Sequence, residues 1–385
     1  MTTQKRFSNW KFWLTAALLL GVAGFLAACS QSPDPAATPV PTPVCPIVAT
    51  PTPVSFNDLW KSSPHADVKA KAFTHWDTAN PQEIPARCAE CHSRPGFSDF
   101  LGVDGSTPGT VDIAAPTGTT LTCYVCHNEA TITLDSVTFP SGIKINGLSP
   151  VVACIDCHAG RTSAGTVEDA ITTAALASDD TPSPDLKFVD SHWISGATPF
   201  GSEAQGAYEY AGKTYQGRYL RGGEFFNCIR CHDQHTLKIN AETCSQCHTF
   251  TNADPKNIRV NTTDFAGDGN PQEGVAYEIQ NMHDKLLVAI QAYAKNTAGV
   301  SLLYDSSSYP FFYIDPNNNG KLDPDEKTTA NKYNAWTPRL LRAAYNYQYV
   351  INDPGAFAHN STYIIQVLYD SLADIGGDVS GMTRP

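Results

Sequence analysis

The pentapeptide Cys-x-x-Cys-His occurs five times between residues 88 and 248 of this sequence. In this pattern the two thiols add to the vinyl groups of a haem, and the histidine becomes the proximal ligand of its iron. The cysteines are Cys88, Cys91, Cys123, Cys126, Cys154, Cys157, Cys228, Cys231, Cys244 and Cys247, and the histidines are His92, His127, His158, His232 and His248. The sequence therefore predicts five covalently bound haem c groups.

Zinc sites are the alternative interpretation, because two Cys-x-x-Cys pairs can combine into one site with four ligands. That alternative does not explain why histidine follows the second cysteine in every copy. It also fits poorly with the export signal described below. We therefore favour haem.

The remaining histidines are the candidates for distal iron ligands. The chain has 11 histidines, so six remain after the five proximal ones, and five irons need five distal ligands. This count favours bis-histidine, low-spin haems, which pass electrons and leave no open site for a substrate. The predicted distal ligands are His65, His192, His235, His283 and His359. His75 is the histidine left out.

His283 needs a separate argument because it lies within an apolar helical stripe, between Ile279 and Leu286. A histidine in such a place is more often a satisfied core residue than a ligand. Five irons in need of partners reverse that preference, so we expect His283 to bind iron.

A second metal pattern occupies residues 315–326. It matches the calcium-loop pattern, in which oxygens at alternate positions and a final bidentate glutamate surround the ion, with a glycine at the sharp turn. The predicted ligands are Asp315, Asn317, Asn319, Lys321 through its carbonyl, and Glu326. A turn without metal is the alternative. A weaker acidic loop that could hold a second ion contains Asp264, Asp268, Asn270 and Glu273.

The first 28 residues have the features of an export signal, with Lys5, Arg6 and Lys11 before an apolar run. The run ends Leu-Ala-Ala-Cys29, which resembles a lipobox and predicts lipidation of Cys29. An ordinary signal peptide or an uncleaved anchor are the alternatives. All three place the rest of the chain outside the cytoplasm, anchored to or near the outer face of a membrane, in a periplasmic or extracellular space.

Three further segments follow the signal. Residues 30–54 are proline-rich and predict an extended tether that could reach roughly 75 Å. Cys45, within it, is either incidental or available for an intermolecular disulfide. Residues 55–250 form the predicted pentahaem domain, in which short helical turns are expected only at the motifs. Residues 251–385 form a helical C-terminal domain with the calcium loop.

Three helices are predicted in this last segment, from hydrophobic positions at helical spacing. They are Pro271–Asn296, Trp336–Val350 and Ser361–Ile375. Asp353-Pro-Gly is expected to break the chain between the second and the third. The expected fold class is thus mainly α and loop-rich, a haem-wrapping body with a helical C-terminal part.

The charge of the chain limits its partners. The formal net charge is −12, and loss of the three basic residues of the signal takes it to −15. Haem propionates would add further negative charge. Nucleic-acid binding is not expected, because the basic surface that it needs is absent. Basic or cation-bearing redox proteins, or a quinol-oxidising membrane complex, are the expected partners.

The chain resembles exported multihaem c-type cytochromes, in particular polyhaem membrane-associated proteins distantly similar to pentahaem nitrite reductase and octahaem hydroxylamine oxidoreductase. The resemblance rests on Ser-Pro-His65-Ala-Asp, Cys231-His232-Asp-Gln-His235-Thr-Leu, Trp336-Thr-Pro-Arg-Leu-Leu and Ala358-His359-Asn360. It implies that His359 is a distal ligand. The nitrite reductases have lysine in the motif of their catalytic haem, whereas all five motifs here end in histidine. The resemblance therefore implies fold and ligation rather than catalysis.

The function expected from these features is electron transfer through bis-histidine haems in a respiratory chain at the outer face of a membrane. A reductase or oxidase of a small nitrogen or sulfur compound is the first alternative. It requires one five-coordinate haem and a proton donor, for which the spare histidine, Tyr208, Tyr210 or Lys213 is available. A filament subunit is the second alternative, with one histidine binding iron in the next copy.

Overall fold

A computed structural model of the protein describes residues 54–221 and 227–385. The predicted signal peptide, the lipid-modified Cys29, nearly all of the tether and Cys45 lie outside these residues. Residues 54–385 belong to one compact unit. The domain boundary expected at residue 250 stays a prediction. The largest hydrophobic core contains residues from both sides of that boundary.

Short helices and two-stranded antiparallel hairpins make up the part of the chain that carries the motifs. The helices are α1 (Phe56–Lys61), α2 (Lys71–Thr74), α3 (Ala86–His92), α4 (Arg94–Phe100), α5 (Cys123–Cys126), α6 (Glu129–Thr133), α7 (Val152–His158), α8 (Ala164–Ala174), α9 (Cys228–Cys231) and α10 (Ala241–Ser245). The strand pairs are β1 (Glu83–Ile84) with β2 (Ala115–Pro116), and β3 (Ser136–Thr138) with β4 (Lys144–Asn146).

Every motif begins on one of these short helices, as the sequence predicts. The helices concerned are α3, α5, α7, α9 and α10. Residues three apart lie on the same face of a helix. In α3, α5, α7 and α9, which contain both cysteines of their motifs, one helical turn therefore places both thiols on the same face, as attachment to one haem requires. Helix α10 contains Cys244 and ends before Cys247.

Helix α8 was not expected, because its segment is rich in small and polar residues. The Ser163 side chain accepts from the backbone N–H of Thr166, and the Thr166 hydroxyl accepts from the backbone N–H of Ser163. This capping box satisfies amides that the first turn of a helix otherwise leaves unpaired. Val167 is fully buried and attaches the helix to the main core.

Three longer helices follow, together with a third hairpin. They are α11 (Val275–Asn296), α12 (Pro338–Ile351) and α13 (Ala356–Asp374), and the hairpin pairs β5 (Leu302–Tyr304) with β6 (Phe312–Ile314). The three predicted helices are confirmed, and so is the coarse fold class, mainly α and loop-rich. No helix in the described ranges has the length and apolar character to cross a membrane.

The ends of two of these helices differ from the prediction. Helix α11 begins at Val275 instead of Pro271, because Gly274 lies directly against the Lys256 carbonyl and caps the helix there. Helix α13 begins at Ala356 and therefore includes His359, with a non-helical residue at Asn360. His359 thus lies in the first turn of α13 rather than before it.

The hydrophobic core is distributed unevenly along the chain. The main cluster extends from Val167 to Ile375 and includes the buried stripe of α11. The clusters around the first two motifs are much smaller, one with five buried residues and one with three. Side chains alone therefore provide little buried apolar area near these motifs.

Gly96 in α4 gives a test of how the first motif is packed. A Cβ atom at this residue would lie 2.3 Å from the carbonyl carbon of Ala89, between the two cysteines of the motif. We expect Gly96→Ala to destabilise the protein by about 1 to 3 kcal/mol, the usual range for overpacking a core. Denaturant unfolding followed by haem absorbance would measure this. Gly165→Ala is the control, because its nearest atom is Ser163 Oγ at 3.5 Å; equal losses in both variants would contradict the prediction.

Candidate haem sites

Four of the five motif histidines face another histidine from a distant part of the chain. The distances between ring centroids are 6.3 Å for His65 and His158, 5.9 Å for His92 and His192, 6.2 Å for His127 and His235, and 6.4 Å for His232 and His359. Four of the five predicted distal ligands, His65, His192, His235 and His359, are thus placed opposite a motif histidine.

The separation within these pairs is the one that two ligands of one metal ion require. A bond from a metal to an imidazole nitrogen is about 2.0 to 2.1 Å long, and that nitrogen lies about 1.1 Å from the ring centre. Rings on opposite sides of one iron therefore have centroids about 6.3 Å apart. The four pairs, at 5.9 to 6.4 Å, fit this value.

Hydrogen bonds to Nδ1 orient several of these rings. His92 Nδ1 donates to the Ala72 carbonyl at 2.8 Å, and His359 Nδ1 donates to the Asp353 carboxylate at 2.8 and 2.9 Å. His232 Nδ1 has a longer contact of 3.5 Å with the Leu237 carbonyl. Bonds of this kind fix the tautomer and leave Nε2 with its lone pair available for a metal.

Burial keeps these imidazoles in the neutral form that binds a metal. The pKa of His65 is lowered to about 4, mainly by burial and in part by the nearby His158. Burial is also the main cause of a lowered pKa at His92, His158, His192 and His232.

The loop that carries His192 connects the first and third motifs. His192 has a left-handed φ of 58°, which is uncommon for a residue other than glycine. Its backbone N–H donates to Asp190 at 3.1 Å, and four residues later the Gly196 N–H donates to the His158 carbonyl at 2.8 Å. The loop therefore brings His192 to the first motif while it is hydrogen-bonded to the third.

His235 reaches the second motif from a tight turn after the fourth. Asp233 accepts backbone hydrogen bonds from His235 at 3.1 Å and Thr236 at 2.7 Å, which closes the turn. The ring of Phe56, from α1, stacks on the His235 ring at 4.8 Å.

His283, the fifth predicted distal ligand, has different surroundings. Its Nε2 donates to the Tyr347 carbonyl at 2.9 Å, and its ring stacks on the Tyr347 ring at 4.0 Å. The nitrogen that a haem iron would take is thus already hydrogen-bonded inside the main core. These are the surroundings of a core histidine, and none of the four facing pairs includes His283. Iron ligation by His283 therefore stays a prediction.

The fifth motif is the one for which the described residues offer no facing histidine. His248 is half-buried. Within residues 54–221 and 227–385, no aromatic ring faces it at the distance found in the four pairs. His75 is exposed, and its ring meets Trp76 edge-on at 4.8 Å.

Exposed aromatic and aliphatic side chains near the motifs and their partners fit a haem. They include Phe56, Tyr124, Trp193 and Ile239. Isolated apolar residues on a protein surface are common. The ones named here, however, lie in the part of the chain where the hydrophobic clusters are small. A porphyrin held between the paired histidines would cover apolar surface there and supply the buried area that the side chains lack.

The motifs are arranged in space around the third one. Cys157 packs in one hydrophobic cluster with Val125 of the second motif, and Cys154 packs in another with Cys228 of the fourth. Arg161, just beyond the third motif, donates to Cys88 Sγ of the first at 3.6 Å. The third motif therefore contacts three others.

The fifth motif contacts the fourth motif through two hydrogen bonds. The Thr243 hydroxyl donates to the Arg230 carbonyl at 3.1 Å, and the Asn240 N–H donates to the Cys231 carbonyl at 2.7 Å. The third motif therefore lies among the first, second and fourth, and the fifth follows the fourth. The second motif also meets its neighbours directly, because the Arg94 guanidinium lies 4.7 Å from the centroid of the Tyr124 ring, and His235, just after the fourth motif, faces His127.

The predicted calcium loop folds as a closed turn. Asp315 and Glu326 are buried, and the Gly320 N–H donates to Asp315 at 2.9 Å. The Asn317 amide donates to Glu326 at 3.0 Å. Within the ranges that the structure describes, no group of three or more His, Cys, Asp or Glu side chains is arranged to hold a metal ion. Calcium binding therefore stays a prediction.

Sequence reasoning missed the residues that orient the ligands. Asp353 was interpreted only as part of a chain break, and the Ala72 carbonyl carries no sequence signal at all. An acidic residue six positions before a predicted ligand is the one local clue that was available at Asp353.

The five motifs and the facing histidine pairs define a c-type cytochrome that carries several haems. Known proteins support this class. The C-type polyheme cytochrome OmcB of Geobacter sulfurreducens, from two strains, is 25% identical over 377 residues, which cover 80% of this chain and 46% of that protein. The C-type polyheme cytochrome OmcC of the same species is 26% identical over 379 residues, with 80% and 44% covered.

The motifs and these relatives together support a multihaem c-type cytochrome, and the chain spans about half the length of these relatives. No protein-family model matches it. No solved structure matches it either.

The two kinds of histidine environment lead to a paired test, His192→Gln against His283→Gln. We expect the first variant to convert one low-spin haem to high spin, because its iron loses a distal ligand. The second should keep the spin populations of the parent and lose about 1 to 3 kcal/mol of stability, as buried substitutions commonly do. Electron paramagnetic resonance of the oxidised proteins gives the first quantity and denaturant unfolding the second. A new high-spin signal in His283→Gln would show that His283 binds iron.

Proposed function

We propose that this protein is an extracytoplasmic electron carrier with five haem c groups, anchored to a membrane through lipid on Cys29 and working in a respiratory chain. The observation that carries the proposal is the set of four facing histidine pairs. Haem iron supplies one-electron redox chemistry, and the protein sets its potential through ligands, burial and hydrogen bonds.

Paired histidines favour a carrier over an enzyme at these four sites. An imidazole on each side of the iron leaves no position for a substrate, so electrons enter and leave without a bond to iron being made or broken. Both ligands are held by the fold, since each pair joins segments far apart in sequence.

The arrangement of the motifs supports a branched electron route. The third motif contacts the first, second and fourth, as described above. The thiols of Cys123, Cys126 and Cys247, in the second and fifth motifs, are exposed. We therefore assign the second and fifth motifs as the ends of the route, where redox partners approach.

The charge and the N-terminal segments support the rest of the proposal. Without the three basic residues of the signal, the net charge of −12 becomes −15, and it attracts basic or cation-bearing redox proteins over distances set by the ionic strength. A lipid on Cys29 and a tether of roughly 75 Å would let the body reach a quinol-oxidising membrane complex as well as partners above the membrane.

One observation favours a second function. His248 has no facing histidine in the described part of the chain, so the haem of the fifth motif is the candidate for an open iron. A reductase or oxidase of a small nitrogen or sulfur compound would act there. The filament alternative would instead fill that position with a histidine of another copy, for which the exposed His75 is available.

Electron paramagnetic resonance of the oxidised full chain decides between these functions, with the haem count taken from the pyridine haemochrome assay. We expect five haems, of which at least four are low-spin. Five low-spin haems would leave the enzyme alternative without a site. One high-spin haem would support the enzyme alternative, and its activity would then be assayed with nitrite, hydroxylamine and tetrathionate.

More than one high-spin haem would contradict the proposal that each of the four histidine pairs binds one haem iron. A fifth low-spin haem that appears only at high protein concentration, and disappears in His75→Ala, would support ligation between copies.

We also propose that the loop at residues 315–326 binds a structural Ca²⁺. Its support is the match of the sequence to the calcium-loop pattern and the buried positions of Asp315 and Glu326. Calcium at a hundredfold excess over Kd is expected to stabilise the protein by about 2.7 kcal/mol relative to EGTA. Glu326→Gln should remove this gain, and Asp325→Asn, an exposed change in the same loop, should keep it. Identical unfolding curves in calcium and EGTA would contradict the proposal.

A further inference from the structure

Asp353 is a buried carboxylate that the function described above does not use. It lies in the Asp-Pro-Gly turn between α12 and α13, and its relative exposure is 1%. Its two oxygens lie 2.8 and 2.9 Å from His359 Nδ1, and one of them also accepts from the Gly355 N–H at 3.1 Å. Within the described ranges, His359 is the basic side chain that pairs with it.

The turn fixes the His359 ring from a second side. A Cβ atom at Gly355 would lie 2.6 Å from His359 Cε1 and 3.0 Å from Nε2. Because Gly355 has no side chain, the His359 ring lies close against the turn, and its hydrogen bond to the Asp353 carboxylate sets its rotation. Nε2 is then the ring nitrogen left for a metal, and the His359 ring centroid lies 6.4 Å from that of His232.

The Asp353 charge also acts on the neighbouring proximal ligands. Burial lowers the pKa of His158 and of His232, and the charge of Asp353 opposes that shift at both residues. The carboxylate is therefore close to the ligands of the third and fourth motifs, at the branch of the route.

No other facing pair has a carboxylate in such direct contact, among the residues that the structure describes. The nearest case is Asp190, whose Oδ2 lies 4.0 Å from His192 Nδ1 and is partly exposed to solvent. That distance is beyond a hydrogen bond. Water screens an exposed charge far more than a buried one.

A carboxylate that accepts the Nδ1 proton makes the imidazole a stronger electron donor. A more basic axial ligand and a nearby negative charge both favour ferric over ferrous iron. Burial strengthens the second effect, because the effective dielectric constant is low.

We propose that Asp353 is a positioning and tuning residue, which orients His359 and lowers the reduction potential of the haem held by His232 and His359. This inference rests on the proposed function, since it assumes that these two histidines bind one iron. Among the contacts between motifs described above, the fifth motif meets the fourth, so the lowered potential lies beside the step to the fifth motif. Asp353 therefore controls how readily electrons pass from the other motifs to that end.

The test is Asp353→Asn, which keeps an oxygen acceptor for the Nδ1 proton and removes the charge. We expect about a tenfold loss of the preference for ferric iron at one haem, an upward shift of about 59 mV for a one-electron couple. The number of low-spin haems should not change. Potentiometric titration of the full holoprotein, followed by absorbance and electron paramagnetic resonance, measures both quantities.

Asp370→Asn is the matched control. Asp370 is another buried aspartate of the C-terminal helices, and it pairs with Arg384 at 2.8 Å and with Lys213 at 4.0 Å instead of a histidine. Its loss should leave every midpoint potential in place. Asp353→Glu keeps the charge and should restore most of the parental potential.

Three results would overturn the inference: no shift in Asp353→Asn, an equal shift in Asp370→Asn, or a new high-spin haem in Asp353→Asn without a change in potential. Asp353→Ser provides the same comparison with a smaller neutral acceptor if the asparagine variant does not assemble. A parent protein with fewer than four low-spin haems would instead overturn the proposed function, so the two failures are distinguishable.

Discussion

The arrangement of the motif-bearing part of this chain depends on one geometric constraint, that two imidazole rings face each other at about 6 Å without touching. Such a gap provides no contact energy of its own and must be imposed by the surrounding chain. Backbone carbonyls, a buried carboxylate and tight turns impose it here, through Ala72, Asp353 and the turn after Asp233. The short helices and irregular loops bring histidines from distant segments to face each other across this gap.

The two parts of the described chain contribute differently to this constraint. The main core, from Val167 to Ile375, is packed by side chains and provides a rigid base for His359. The clusters around the first two motifs are small, so their order depends on the haems and their covalent links. His283 illustrates the difference, because its hydrogen bond and ring stacking make it part of the packed core, although the number of irons in need of ligands suggested that it binds iron.

The sequence predicted what depends on local spacing. The five motifs, their helical turns, the long helices and the class of protein were all readable, because each is encoded within a few residues. The pairing of ligands was not, because it depends on contacts between segments such as those of His65 and His158. Counting histidines identified the candidates, but it could not separate His283 from the paired ones. The role of Asp353 was hidden for the same reason, since only the folded turn brings its carboxylate to His359.

The order of the paired histidines along the chain has a consequence for biogenesis. A chain that crosses a membrane with its N-terminus first presents His65 before His158, so the third motif meets a partner that has already emerged. The first, second and fourth motifs must wait for His192, His235 and His359, which all follow them. Assembly can therefore start at the central motif and finish at the fourth, whose partner emerges close to the end of this sequence.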